Sequence, residues 1–267
     1  MTPKPAYPPG VPCWVDALEP DPRGASAFYR ALFGWECVGP GPMPGGGEYF
    51  VAQLHGDDVA GIATLPPDAH SQWATYVGVD DVVEYVKGAQ AAGGTIVVPP
   101  SDALPAGRFA VIAAPTGSSI GLWEPRERIG AQRINQPRAW ALSALHTREL
   151  DSAAAFYARV FGWVTEPMGP DTLLFRLPGY VGGLEQQPVP RDTVAIAVRD
   201  ERAPNEHWAV DFWIEDTEAA VARAAGAGGR VIAPPFDQMM FRSAVLASPG
   251  GAVFSISQLV PERLAAF

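Results

Sequence analysis

The sequence is poor in cysteine and in basic residues. Only Cys13 and Cys37 occur among 267 residues, which excludes a disulfide framework and a CxxC metal or redox motif. Lysine and arginine together number 19 against 29 acidic residues, a formal net charge of −10. This balance disfavours nucleic acid as a partner, because phosphate binding needs a basic face. A neutral or cationic small molecule fits the charge better.

Long apolar runs are also absent. No stretch approaches the roughly 18 apolar residues that cross a bilayer, and the N-terminal segment MTPKPAYPPGVP has no apolar core of a secretion signal. We therefore expect a cytoplasmic protein with no membrane partner. Hydrophobic residues make up 48% of the chain and charged residues 18%, which is the balance of a globular fold with a sizeable core.

Most of the chain is present twice. AFYRALFGW (27–35) recurs as AFYARVFGW (155–163), and VDDVVEYVKGAQAAGGTIVVPP (79–100) recurs as IEDTEAAVARAAGAGGRVIAPP (214–235). AAPTGSSIGLWEP (113–125) recurs as ASPGGAVFSISQL (247–259). Three matches in the same order, at nearly constant offset, indicate a duplication with insertions and deletions in loops.

Each copy divides again. In the first copy, VPCWVDALE alternates as a strand, and the helical spacing of Ala25, Phe28, Tyr29 and Leu32 predicts a helix that opens at Asp21 or Pro22 and ends at Gly34. Further strands are expected at about 48–54 and 59–64. The same order then returns as strand 73–79, helix 81–92 closed by Gly93-Gly94, and strands near 95–98, 108–113 and 119–123. The chain is thus predicted to be α+β, with four βαβββ units forming two tandem domains.

The predicted domains are residues 8–125 and 139–262. Residues 126–138 are polar and aperiodic, so they are expected to form the linker.

The Phe-Tyr…Phe-Gly-Trp helix end, the VDDV…GG helix and the Pro-x-Gly hairpin resemble the vicinal-oxygen-chelate superfamily. That superfamily includes glyoxalase I, extradiol dioxygenases and bleomycin-resistance proteins. The likeness is greatest to two-domain, single-chain glyoxalase-like proteins, and it covers nearly the whole sequence. It implies two glyoxalase-like domains with open β-sheet cups, but this fold supports many chemistries.

The resemblance also implies where a metal would be held, namely on the first and last strand of each βαβββ unit. A divalent metal there needs at least three ligands such as His or Glu. The matching positions hold Trp14, Ala63, Ala74, Gly121, Leu142, Glu185, Ala209 and Ser255. Only Glu185 is a strong ligand, so no metal and no cofactor are predicted. The alternative set is His146, Glu185 and His207, whose histidines are displaced along their strands from the ligand positions.

Strand alternation in the family register indicates which side chains line the cups. The small residues Ala74, Gly78 and Gly121 are expected to leave room for a ligand in the first copy. The predicted ligand-binding residues of both copies are Trp14, Asp16, Tyr76, Arg108, Trp123, His207, Asp211, Trp213, Met240 and Arg242. The alternative for each aromatic ring is core packing, and for Arg108 and Arg242 it is an ion pair with Asp102 or Asp237.

These observations favour metal-independent binding of a hydrophobic, aromatic small molecule, in antibiotic biosynthesis or in resistance of the bleomycin-resistance type. The alternative is a glyoxalase-like lyase, isomerase or hydroxylase-type enzyme acting on a small carbonyl or aromatic substrate. That enzyme would use Asp16 or Asp211 as a general base, or the displaced histidines with a metal. A protein–protein interaction role and a homodimer are left open.

Overall fold

A computed structural model describes residues 7–182, 189–203 and 205–264, and within them it contains four βαβββ repeats in succession. Repeats 1 and 2 comprise β1 Pro12–Glu19, α1 Pro22–Phe33, β2 Glu36–Pro42, β3 Glu48–Leu54, β4 Asp57–Thr64, β5 Gln72–Gly78, α2 Val82–Ala91, β6 Thr95–Ala103, β7 Gly107–Ala113 and β8 Ser119–Pro125. Repeats 3 and 4 comprise β9 Trp140–Thr147, α3 Leu150–Phe161, β10 Val164–Gly169, β11 Thr172–Arg176, β12 Thr193–Arg199, β13 His207–Trp213, α4 Thr217–Gly226, β14 Arg230–Gln238, β15 Phe241–Ala247 and β16 Val253–Leu259. A short helix α5, Pro261–Leu264, follows.

The strands form two sheets of eight with the same topology. Their orders are β2-β3-β4-β1-β5-β8-β7-β6 and β10-β11-β12-β9-β13-β16-β15-β14. The first and last strands of each repeat run parallel, as β1 with β4 and β13 with β16. The predicted α+β class and the two tandem domains of paired βαβββ units are confirmed, while the exact domain bounds and the linker remain predictions. No helix in the described ranges is long and apolar enough to cross a membrane.

Local signals in the sequence set the ends of the helices. The Asp21 carboxylate accepts hydrogen bonds from the backbone N–H groups of Arg23 and Gly24, which caps the N-terminus of α1 ahead of Pro22. Gly34 ends α1 in the left-handed conformation with φ 74°, and Gly162 ends α3 with φ 72°. Glycine is favoured there because a Cβ would strain a positive φ. The helix therefore ends where the sequence predicts.

The described residues pack as two compact units. Unit 1 is built around repeats 2 and 3 and includes Trp14, while unit 2 is built around repeats 1 and 4 and includes residues 131–141. The core of unit 1 contains the rings of Phe156, Tyr157, Phe161, Trp163, Phe175 and Trp208, and that of unit 2 contains Phe28, Tyr29, Phe33, Trp35, Trp73, Phe212 and Phe254. Phe-Tyr…Phe-Gly-Trp is therefore a duplicated core motif, with its aromatic rings buried.

The duplicated Gly-Gly pairs allow close packing of a phenylalanine in each core. Gly93 and Gly228 take positive φ after α2 and α4. A Cβ on the next residue, Gly94, would lie 2.8 Å from Cε2 of Phe156 in unit 1. In unit 2, a Cβ on Gly229 would lie 2.6 Å from Cε2 of Phe28. The second glycine is therefore needed for space, because a carbon atom cannot approach that closely.

Candidate functional site

The predicted aromatic cup of the first copy is filled by its own side chains. In unit 1, Trp14 is 7% exposed and Tyr76 is 9% exposed. Tyr76 is paired in register with Gly121, and its ring occupies the space that a Cβ at Gly121 would take. The expectation that Gly121 leaves room for a ligand is therefore wrong, because the neighbouring aromatic side chain has used that room.

The other first-copy residues are engaged with the protein itself. In unit 2, the Tyr49 hydroxyl donates a 2.7 Å hydrogen bond to Oδ1 of the buried Asp16. In unit 1, Trp123 is half-buried and its Nε1 donates to the carbonyl oxygen of Arg128 at 2.9 Å. Arg108 pairs with Asp102 at 2.9 Å, as the ion-pair alternative expected. These contacts favour structural roles for the residues.

The second sheet has one open face. Along β13 the side chains alternate, with Ala209, Asp211 and Trp213 half-buried, His207 exposed, and Trp208, Val210 and Phe212 buried. In β9, Leu142, Ala144 and His146 are half-buried, and the residues between them are buried. A sheet covered on only one side has this period of two. One face of β9 in unit 1 and one face of β13 in unit 2 are therefore partly exposed.

A carboxyl and two serines form a polar cluster on this face in unit 2. Ser257 Oγ donates a 2.8 Å hydrogen bond to Oδ1 of Asp211, and the Ser257 and Ser243 hydroxyls lie 2.9 Å apart. Burial raises the pKa of Asp211 to about 7, against the opposing effect of hydrogen bonds from Ser257 and Ser255. The group can therefore be a hydrogen-bond donor or an acceptor near neutral pH.

Aromatic rings flank the polar cluster. Trp213, Ser257, Ser243 and Phe236 are successive partners across four neighbouring strands, so they form one row on the same face. Phe236 is 37% exposed, and Phe241 lies two residues before Ser243 on β15. The Trp213 and Phe241 ring centroids are 6.2 Å apart. We call this surface the unit 2 face; its residues are Asp211, Trp213, Phe236, Phe241, Ser243 and Ser257.

Two residues predicted to bind a ligand, Met240 and Arg242, are instead engaged with the protein itself. Met240 is 1% exposed and belongs to the core, whereas its neighbour Met239 is 42% exposed. Arg242 is shared between Glu218 at 2.8 Å and Asp237 at 3.2 Å. Its guanidinium is thus neutralised by two carboxylates rather than free for an anion, as the ion-pair alternative expected.

The pKa of Asp211 predicts how stability depends on pH. A carboxyl whose pKa is higher in the folded protein than in the unfolded chain stabilises the fold. This contribution is complete below the pKa of the unfolded chain, about 3.9, and is lost as the pH rises through the folded-state pKa of about 7. Three pKa units would correspond to ~4 kcal/mol, but Asp211 is only half-buried. We therefore expect the free energy of unfolding of the Asp211→Asn variant to be about 1–3 kcal/mol higher than that of the wild type at pH 8. At pH 4 the two proteins are expected to be equally stable.

Urea unfolding at the two pH values measures this difference. Asp68→Asn changes an exposed aspartate of the same unit and is the matched control, with a change in the free energy of unfolding expected to stay within about 0.5 kcal/mol. Equal gains for Asp211→Asn at pH 4 and pH 8 would show that the carboxyl is not destabilised by burial.

A second group of titratable side chains lies in unit 1. His146 Nδ1 is 3.0 Å from Oδ2 of Asp200, and the His146 and His207 rings are stacked, with centroids 5.0 Å apart and planes 11° apart. Burial lowers the pKa of His146; Asp200 opposes this effect and His207 adds to it. The pairing with Asp200 has no signal in the sequence, because the two residues are 54 positions apart.

The residues present do not fit the metal of the superfamily. On β4, Ala63 lies opposite Leu18, and the corresponding residue on β12 is Val198, opposite His146. This corrects the sequence-based placement of the fourth-strand position on Glu185, which itself lies outside the described residues. Among the residues that the structure describes, no group of three His, Cys, Asp or Glu side chains could hold a metal ion. The alternative set of His146, Glu185 and His207 stays a prediction, because the two histidines lie together in unit 1 but Glu185 is outside the described residues.

Comparison with protein families decides the relationship. Residues 14–122 match the model of the glyoxalase/bleomycin resistance protein/dioxygenase superfamily, and residues 141–257 match a glyoxalase-like domain. The chain belongs to this superfamily.

Relatives of this superfamily member extend over nearly its whole length. It is 38% identical to "Putative glyoxylase CFP32" of Mycobacterium bovis, over 96% of the chain and 98% of that protein. It is 31% identical to the anthracycline biosynthesis protein DnrV of Streptomyces peucetius, over 95% of the chain and 94% of that protein.

Solved structures share the fold at low identity. The Mn(II)-bound glyoxalase from Novosphingobium aromaticivorans has a TM-score of 0.64 and 14% identity, covering 94% of this chain and 82% of that one. The 2,3-dioxygenase LapB from Pseudomonas sp. KL28 has a TM-score of 0.61 and 15% identity, covering 93% and 91%. At such identities the likeness establishes the architecture alone.

Proposed function

We propose that this glyoxalase-like protein binds a planar aromatic small molecule bearing a hydroxyl or carbonyl oxygen, on the unit 2 face and without a metal. The observation that carries the proposal is the row in which Trp213 and Phe236 flank two serines hydrogen-bonded to each other, with Asp211 joined to Ser257. Concave sites for such ligands combine apolar rings with a few polar groups that set orientation.

The rings and the carboxyl of the unit 2 face have different roles in binding. Trp213 and Phe241 offer ring surface, and a ring contact contributes about 0.5–1.5 kcal/mol beyond the burial of area. Asp211, with a pKa of about 7, donates to a carbonyl oxygen when protonated and accepts from a phenol when ionised. Several such contacts together support a Kd on the order of micromolar.

The relatives support the ligand class. DnrV of Streptomyces peucetius and DauV of Streptomyces sp. strain C5, which is 30% identical, are both named for anthracycline biosynthesis. We therefore place this chain in the metabolism of an aromatic natural product, as an accessory or resistance protein that holds the compound. The ligand positions of the superfamily metal hold Trp14, Ala74, Gly121 and their second-copy equivalents, which favours binding without a metal.

An enzyme acting on the bound compound is the second candidate. It is favoured by one observation, the raised pKa of Asp211, because a general base works best when its pKa is near the working pH. In that case Asp211→Asn abolishes turnover while affinity persists. For a binding protein, the same substitution changes only affinity and its dependence on pH.

Calorimetric titration with 1,8-dihydroxyanthraquinone, a planar phenolic quinone, tests the proposal. Trp213→Ala is expected to weaken binding at least tenfold, which is about 1.4 kcal/mol. Trp123→Ala removes a ring from the filled cup of the first copy and is the matched control, with affinity unchanged within about twofold. Dialysis against EDTA is expected to leave binding intact.

Three results would contradict it: wild-type binding weaker than about a millimolar, unchanged affinity in Trp213→Ala, or loss of binding in Trp123→Ala alone. Circular dichroism of each variant shows whether the fold is kept.

A further inference from the structure

We propose that a groove beside helix α1 in unit 2 binds a small apolar carboxylate, with the Arg30 guanidinium as its counter-ion. The groove lies between one side of α1, Cys37 of β2 and Phe50 of β3. Its volume is about 420 Å³, within the range of roughly 300–1,000 Å³ that is usual for small-molecule sites. None of the residues that line it belongs to the unit 2 face, so this site is additional to the one proposed above.

The wall of the groove is mostly apolar. The α1 side chains that line it are those of Arg23, Ser26, Ala27, Arg30 and Ala31. Their spacing of three, four and seven positions places them along one side of the helix. The two alanines present only methyl groups there, and the hydroxyl of Ser26 is occupied by the carbonyl oxygen of Pro22 at 2.7 Å. A ligand of this groove therefore needs an apolar body.

The two arginines of the groove differ in what they can still bind. Nε and Nη2 of Arg23 donate to the Glu48 carboxylate at 2.8 and 2.5 Å, and the Arg23 Cζ lies 5.8 Å from the centroid of the Phe50 ring. The exposed Arg30 guanidinium has no hydrogen-bond or ion-pair partner among the residues that the structure describes. Arg30 is therefore the cation available to a carboxylate, which a guanidinium can hold through two parallel hydrogen bonds.

The thiol of Cys37 does not compete for this charge. Its Sγ lies 4.0 Å from the carbonyl oxygen of Ser26. Burial raises the pKa of Cys37, against the opposing effects of the hydrogen bond to Ser26 and the positive charge of Arg30. The thiol is therefore neutral at neutral pH, and the charge of Arg30 is left for a bound anion.

The duplicated helix shows that the fold does not need these side chains. Helix α3 keeps the buried aromatic rings of α1, but its equivalents of Arg23 and Arg30 are Asp151 and Ala158. The equivalent of Cys37 is Thr165. The repeat thus packs without the two arginines and the thiol, which belong to the groove of the first copy alone.

Calorimetric titration with 2-naphthoate tests the groove, and 2-naphthamide is the uncharged analogue. We expect the wild type to bind 2-naphthoate with a Kd below about a millimolar, and Arg30→Gln to weaken this binding by about fivefold or more because the charge-assisted hydrogen bonds are lost. The amide is expected to bind both proteins as weakly as the variant binds the acid. Arg159→Gln makes the same substitution in the last turn of α3 and is the matched control, with affinity unchanged within about twofold.

Alkylation by iodoacetamide locates the ligand. Cys37 lines the groove and is half-buried, whereas Cys13 is buried and is expected to stay unmodified in the folded protein. Saturating 2-naphthoate is expected to slow the alkylation of Cys37 by about threefold or more in the wild type, and the same concentration to protect Arg30→Gln less.

Three results would overturn the proposal: no saturable binding of 2-naphthoate, equal affinity of the wild type and Arg30→Gln, or alkylation of Cys37 that the ligand does not slow. The alkylation rate reports on the groove alone. Its failure therefore leaves anthraquinone binding at the unit 2 face untouched, and failure of anthraquinone binding leaves the groove untouched.

Discussion

Replacing Phe28 or Phe156 with alanine is expected to lower the free energy of unfolding by about 3–5 kcal/mol. Both rings are 2% exposed. Phe28 packs edge-on against Tyr29 and Phe254, with centroids 5.0 and 6.4 Å away, and Phe156 packs against Tyr157 at 5.2 Å. Truncation removes apolar surface from each core and leaves a cavity that close-packed neighbours cannot collapse to fill.

Chemical denaturation monitored by tryptophan fluorescence measures both losses. Phe236→Ala truncates the same side chain where it is 37% exposed, so this control is expected to cost less than about 1 kcal/mol. A cost below that value at both Phe28 and Phe156 would mean that the helices do not pack through these faces.

The substitution Gly121→Ala adds a single methyl group and is expected to destabilise the protein by about 3 kcal/mol. This is the upper end of the usual range for overpacking a core. Tyr76 lies directly over Gly121, and the backbone of β8 cannot retreat because it is paired with β5 and β7 on either side. The Tyr76 ring must therefore move out of its packed position, and the filled cup would open.

Gly88→Ala is the matched control, because it makes the same substitution at a helical position of unit 1 with open space around it. There the change is expected to stabilise α2 by about 0.5–1 kcal/mol. Combining Gly121→Ala with Tyr76→Ala is expected to cost less than the sum of the single variants. Additive losses would show that the two positions do not compete for space.

Sequence patterns predicted the elements well where their signals are local. Strand β3 was expected at 48–54 and is observed at Glu48–Leu54, and the helix expected at 81–92 is observed at Val82–Ala91. Alternation, N-terminal aspartates and helix-ending glycines act within a few residues, so one sequence suffices to find them. Strand β12 was misplaced although the sequence between β11 and β12, LPGYVGGLEQQPVPRD, contains the glycines and prolines that mark a loop.

The cup of the first copy was predicted wrongly for a physical reason. Small residues beside large ones on a strand face indicate either a vacancy or a close fit, and the pattern alone does not distinguish them. Tyr76 occupies the space over Gly121 because an empty apolar gap loses dispersion contacts that an adjacent ring can make. The second copy has Ser255 in place of Gly121, paired with Asp211 rather than an aromatic residue, and its face stays open.

The sequence by itself determined the duplication, the four βαβββ repeats and the superfamily, because these depend on residue identity and spacing along the chain. Tertiary structure alone decided that Tyr76 fills the space over Gly121, that His146 meets Asp200, and that burial raises the pKa of Asp211 to about 7. Each of these depends on what surrounds a side chain in space. Burial, ring packing and hydrogen bonds between distant strands change the chemistry of a residue while its sequence neighbours stay the same.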